Sequence, residues 1–237
     1  MTQRMKPLAL IALDGPSGVG KSTTAKRLAQ RLGWSYLDTG GMYRTAALAL
    51  KRAGLSPEDP EAPIYLGQRH IEQRGTAFHL DGEDVSEAIR TPELSTLASA
   101  VATQGPIRAV LVAQQRRIGS QGGWVVDGRD IGTVVFPDAC CKIFLTATPE
   151  ARAQRRFLEL QAKGQVVDFE TILEDQRRRD LQDSTRAVAP LRKAEDAVEL
   201  DSSALDLEAV VERILAIHRA HAPTDEAVPS APPDPQP

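Results

Sequence analysis

Asparagine occurs nowhere in the 237-residue chain. Its absence excludes the Asn-Lys-x-Asp motif with which switch GTPases read guanine. Cysteine is nearly absent too, and the two that occur, Cys140 and Cys141, are neighbours. Adjacent thiols fit no zinc or redox spacing and bridge only under strain, which rules out a disulfide framework. A reduced, cytoplasmic protein is expected. No apolar stretch reaches the roughly 20 residues of a membrane span. Residues 1–15, MTQRMKPLALIALDG, place basic residues before an apolar run as a signal peptide does. Cleavage there would destroy the motif that follows, so no leader is read. Net charge is −3, too small an imbalance for a polyanion binder. A nucleic-acid partner would need a local basic face, and neither nucleic acid nor membrane is expected as a partner.

What is present is enough apolar content, 41%, for a sizeable core. Strand patterns fall at residues 8–14, 35–37, 124–127, 142–146 and 198–201. Helical patterns alternate with them at 21–32, 41–53, 107–118, 149–163, 169–181 and 206–219. This alternation predicts an α/β fold: a parallel sheet with helices on both faces, and ligands at the carboxyl ends of the strands. Residues 56–91 break the rhythm and are rich in Pro, Gly and acids. They read as a small inserted subdomain with a hairpin turning at Asp81–Gly82. From residue 222 the chain is Pro-rich and without periodicity, a disordered tail after one domain over 1–221.

Gly15 to Ser22 read GPSGVGKS directly after an apolar strand, which is the P-loop pattern. Its glycines let backbone N–H groups turn inward around phosphate oxygens, and the helix that starts near Gly20 aims its positive end at the same anion. Lys21 can reach the terminal phosphates, and the Ser22 hydroxyl can ligand Mg²⁺. The nucleotide set is Gly15, Pro16, Ser17, Gly18, Val19, Gly20, Lys21, Ser22 and Thr23.

A P-loop alone binds a nucleotide; the second half of the chain narrows the reaction. Arginines stand at 152, 155, 156, 177, 178, 179, 186 and 192. Nearby acids such as Glu159, Asp175 and Asp180 also suit a solvated helix face. Arg179, Asp183 and Arg186, however, lie at i, i+4 and i+7, on one face of a continuing helix. Two guanidiniums flanking a carboxylate suit an anion that also carries hydroxyls. One well-placed arginine contributes roughly 10³–10⁵ in phosphoryl-transfer rate. Residues 152–168, with Gly164 inside, read as a lid that closes and excludes water.

Three further groups complete the pattern. Asp38 or Thr39 caps a helix that carries Arg44 toward the strand ends. Asp127-Gly128-Arg129-Asp130 ends a buried strand, with Gly128 expected to supply the backbone angles of a turn. Ser99 and Arg108 bracket a break at Gly105–Pro106.

On these segments the chain resembles the bacterial cytidylate kinases: LDGPSGVGKS, LDTGGMYR, EDVSEAIRT, DGRDIGTVVFPDA, KIFLTA and DSTRAVAPL, over residues 8–219. The resemblance implies transfer of the ATP γ-phosphate to CMP or dCMP, with Mg²⁺; a monomer is expected, though the sequence does not itself fix the oligomeric state. It implies that Arg44, Arg129, Arg179 and Arg186 hold the acceptor phosphate or sugar, and that Asp183 contacts the ribose. It implies that Ser99, Arg108 and Asp130 read cytosine. Thr39 stands where the family often has Ser. Lys21, Arg129, Arg179 and Arg186 are the implied catalytic group, Ser22 the metal ligand, and Asp127 an aid to Mg²⁺ through water. Residues alone leave two other readings open: a P-loop kinase for a different small acceptor, and a nucleotide-binding switch without one.

Overall fold

The computed structural model describes residues 8–221. The expected disordered tail, 222–237, lies outside the described residues. β1 (Leu8–Asp14) is an unbroken apolar run buried on both faces, as the middle strand of a parallel sheet must be. A glycine-rich loop leads into α1 (Lys21–Leu32), then β2 (Ser35–Asp38) and α2 (Thr39–Ala53). The pattern placed the start of α2 at Gly41. It starts two residues earlier because Asp38 is its N-cap, with Oδ1 accepting the Gly41 N–H at 2.8 Å.

The segment expected as an insert holds α3 (Ala62–Gly67) and a separate antiparallel sheet of β3 (Ile71–Arg74), β4 (Ala77–Leu80) and β5 (Glu83–Asp84). Its turn is at Asp81–Gly82, where φ is +51° and +89°, the left-handed pair a two-residue connection needs. Phe78, Leu80 and Ile89 share one apolar cluster with Ala46 and Leu50 of α2. This sheet is therefore packed onto the main core.

α4 (Pro92–Val101) and α5 (Gly105–Gly119) follow, broken at residues 102–104, and Gly105–Pro106 opens the second of them. Then come β6 (Trp124–Gly128), a π-helical turn (Ile131–Val135), β7 (Ala139–Thr146), α6 (Pro149–Ala162), α7 (Phe169–Thr185), β8 (Val198–Asp201) and α8 (Leu207–His221). The parallel sheet runs β2-β6-β1-β7-β8. Leu10, Ala12, Leu37 and Val126 face α2, α4 and α5, while Ile11, Leu13, Val125 and Leu145 face α1 and α8. Helices thus cover both faces, as the alternation predicts. In register, Asp38 lies beside Asp127, and Asp14 beside Gly128. The carboxyl ends of the strands therefore gather at one edge. No described helix is long and apolar enough to cross a membrane.

Candidate active site

A cleft of about 560 Å³ opens at that edge. One end is the P-loop: Ser17, Gly18, Gly20, Lys21, Ser22 and Thr23 line it. The Lys21 ammonium is folded back onto the Pro16 carbonyl at 2.6 Å. Burial, then the nearby Arg129 cation, push it down to about 7. Among the described residues it pairs with no carboxylate, and an incoming polyphosphate would supply the anionic oxygens that favour its charged form. Gly15, Pro16 and Val19 do not line the cleft. Gly15 passes against the Leu145 carbonyl, and the Val19 side chain is buried in the core beneath.

Where the P-loop meets β6, the Asp127 carboxylate is 4% exposed and capped by two hydroxyls. Ser22 Oγ donates to Oδ2 at 2.7 Å, and the Tyr36 phenol donates to Oδ1 at 3.0 Å. Burial raises the Asp127 carboxyl to about 6. Burial and the same carboxylate push the Tyr36 phenol well above its ordinary value, so it stays a donor.

The other end of the cleft is cationic. Thr39, Arg44, Ser99, Arg108, Arg129, Asp130, Arg179, Asp183 and Arg186 all line it. They come from α2, α4, α5, the end of β6, α7 and the chain just after α7. Within it, acids hold the guanidiniums in place. Arg129 Nε donates to Asp183 Oδ2 at 2.6 Å, Arg44 Nη2 donates to Asp38 Oδ2 at 2.9 Å, and Arg108 pairs with Asp130 in the buried interior. Arg186 Nη2 is buried, has no hydrogen-bond partner among the described residues, and stands 3.9 Å from Asp130 Oδ1. Burial depresses the Arg186 guanidinium from its ordinary value. Arg179 makes no hydrogen bond or ion pair among the described residues. Such unmet donors facing a cleft suit a ligand rich in acceptors.

A family model for cytidylate kinase matches residues 11–220. The chain belongs to the cytidylate kinase family. The cytidylate kinase of Syntrophotalea carbinolica is 50% identical over 213 residues, 88% of this chain and 91% of that protein. That of Geobacter sulfurreducens is 47% identical over 215 residues, covering 89% and 92%. A bifunctional pantoate ligase/cytidylate kinase of Synechococcus elongatus is 47% identical over 220 residues, 89% of this chain and 42% of that longer protein.

Against this family background, several sequence expectations need correction. Arg179, Asp183 and Arg186 do not share one helix. α7 ends at Thr185, and Arg186 is extended, with φ −58° and ψ 139°. Pro190 cannot continue a helix, and the Leu191 N–H turns back onto the Asp183 carbonyl at 2.8 Å. The loop, not helical periodicity, returns Arg186 to the cleft. Gly128 is the last residue of β6 and adopts no left-handed angle; it is needed because a Cβ there would lie 2.7 Å from Thr39 Oγ1. Thr39 is not a free hydroxyl either, since it donates to the Asp127 carbonyl at 2.7 Å.

Arg152, expected in a lid, is 2% exposed and structural. It bonds the Ala147 and Ser17 carbonyls and pairs with Asp180 across the α6–α7 hairpin. That hairpin is longer than the segment 152–168, because all of α7 forms its second arm. Arg155 and Arg156 line the cleft above the P-loop. Sequence reasoning missed Tyr36 and Tyr43, and it placed Asp14 at the strand-end edge without a role. Tyr43 lies beside Arg44 in the LDTGGMYR segment, and its hydroxyl is buried with no hydrogen-bond partner among the described residues. Asp14 accepts the N–H groups of Ile131 and Gly132 at 2.8 and 2.7 Å, tying the end of β1 to the turn after Asp130.

Proposed function

We propose that the protein transfers the γ-phosphoryl group of ATP directly to CMP or dCMP, giving ADP and CDP or dCDP. The observation that carries this is the single cleft with a P-loop at one end and the full acceptor-side set at the other. ATP lies along the P-loop, with Lys21 on its terminal phosphates. CMP lies under Arg44, Arg129, Arg179 and Arg186, with Asp183 at its ribose. Its phosphate oxygen attacks the γ-phosphorus in line, and ADP leaves. The attacking oxygen is already ionised near neutral pH (phosphate second pKa about 6), so no general base is needed. Lys21 and the arginines neutralise charge that spreads over the transferring group.

A divalent cation fits beside Ser22 and Asp127. Among the described residues no group of three or more His, Cys, Asp or Glu could hold a metal ion by itself. One hydroxyl and one carboxylate offer hard oxygen donors and leave the remaining positions to phosphates and water, the coordination Mg²⁺ favours. Bound there, Mg²⁺ would supply charge neutralisation on the phosphate oxygens.

Cytosine presents an amino donor where uracil presents a carbonyl. Asp130, held by Arg108, accepts from the first and repels the second. A buried polar site rejects the wrong pattern by about 10⁴. A cytoplasmic monomer acting on free nucleotides is part of this reading. ADP release measured over a panel of acceptors tests it: kcat/KM for CMP and dCMP should exceed that for UMP by orders of magnitude. Equal values would reject the base-reading role.

A further inference from the structure

The parallel pairing of β2 with β6 sets Tyr36 beside Val125 and Asp38 beside Asp127. Tyr36 and Asp127 therefore project from the same face of the sheet, two residues apart along it. That face is covered by α1, which carries Ser22 in its first turn and Lys26 one turn later. The Lys26 ammonium lies 5.7 Å from the centre of the Tyr36 ring. The ring is thus held between the sheet and α1, and its hydroxyl ends on Asp127 Oδ1 at 3.0 Å. The other carboxylate oxygen, Oδ2, is the one against Ser22.

A carboxylate on a strand end turns freely about its last torsion unless one oxygen is fixed. We infer that Tyr36 is a positioning residue for the divalent cation: by holding Oδ1, it keeps Oδ2 turned toward the Ser22 hydroxyl. This rests on the assignment of Ser22 and Asp127 as the cation's protein-side neighbours, and it adds the group that orients them. The tyrosine touches no reacting atom. Its part resembles that of the outer hydrogen-bond partners of metal ligands, whose loss typically weakens metal affinity 10–100-fold.

The test uses the full chain, with ADP and Mn²⁺ as a paramagnetic stand-in for Mg²⁺. Free Mn²⁺ is read by electron paramagnetic resonance for the wild type, Tyr36→Phe and Asp127→Asn. Phenylalanine keeps the ring but takes one hydrogen bond from a buried carboxylate, so the melting temperature should fall by a few degrees while the affinity for metal-free ADP stays at the wild-type value. Mn²⁺ in the ADP complex should bind about 10-fold more weakly in Tyr36→Phe. In turnover, the Mg²⁺ concentration at half-maximal rate should rise while kcat at saturating Mg²⁺ stays near wild type. If Asp127→Asn weakens Mn²⁺ and Tyr36→Phe does not, the positioning role is overturned and the cation site stands. If neither variant alters Mn²⁺ binding, the cation site fails and the role of Tyr36 fails with it.

Discussion

Arg129 Nε donates to Asp183 Oδ2 across 2.6 Å, joining the loop after β6 to the last turn of α7 in the α6–α7 hairpin. The two residues are 54 positions apart in sequence. The bond fixes a guanidinium that lines the cleft, where the proposed reaction has the phosphoryl group cross. Asp183→Ala should free that guanidinium and, under the proposed function, remove the contact to the ribose. A hydrogen bond to a charged group contributes about 1.5–3 kcal/mol, so kcat/KM for CMP should fall roughly 10- to 100-fold. KM for ATP should hardly change. Steady-state kinetics with each substrate varied in turn checks this; an equal loss on both would place Asp183 elsewhere.

Arg152 is the root of the same hairpin. Arg152→Met keeps much of the stem's bulk but strips the Ser17 and Ala147 carbonyls of their donor and leaves Asp180 unpaired. Asp180 is 28% exposed, so water relieves part of the penalty. A loss of about 2–3 kcal/mol is expected, below the full cost of a broken interior pair. Urea denaturation measures it. A change under half a kcal/mol would mean that the hairpin is anchored by other contacts.

Gly41 marks the contact between α2 and the small antiparallel sheet. A Cβ at Gly41 would lie 2.1 Å from Phe78 Cζ. Gly41→Ala should therefore destabilise by about 1–3 kcal/mol through overpacking, despite alanine's better helix propensity. Adding Phe78→Leu should recover part of that loss, giving a double variant less damaged than the sum of the singles. Strict additivity would contradict the contact.

Asp14 supplies the pH dependence. Burial raises its carboxyl from 3.8 to about 6, against the pull of the Gly132 and Ile131 N–H groups. A raised value in the folded chain favours the protonated form. Its stabilising contribution is complete below the ordinary carboxylate value and disappears as pH climbs through about 6. Asp14→Asn removes this dependence. From pH 5 to pH 7 the stability of the variant relative to wild type should improve by about 1 kcal/mol. Denaturation curves at both pH values decide it, and a constant difference would rule out the raised carboxyl.

The readable parts of this protein were local ones. A strand, a glycine loop and an amphipathic helix stand in one unbroken stretch from Leu8 to Leu32, so the P-loop needed no tertiary information. Asp81–Gly82 announced its turn because only left-handed angles join two strands across two residues. The segment motifs singled out nine residues for the acceptor, and all nine line one cleft. What stayed hidden depends on distant chain. Nothing near Arg152 distinguishes it from the more exposed Arg155 and Arg156 that follow; its burial goes with its bonds to Ser17 and Asp180. Arg186 was read as helical because charge spacing does not reveal where a helix stops. Nothing in the sequence marks Tyr36, since its partner Asp127 lies 91 residues away and meets it only through the β2–β6 register.

The central claim is direct transfer between two nucleotides held in one cleft. The sharpest measurement follows the label from γ-labelled ATP in the presence of Mg²⁺ and CMP, with nucleotides and protein separated after partial turnover. Label should appear in the β-phosphoryl group of CDP, in step with ADP, with none on the protein. Label ending in free phosphate or on the chain itself, with no labelled CDP, would contradict the account.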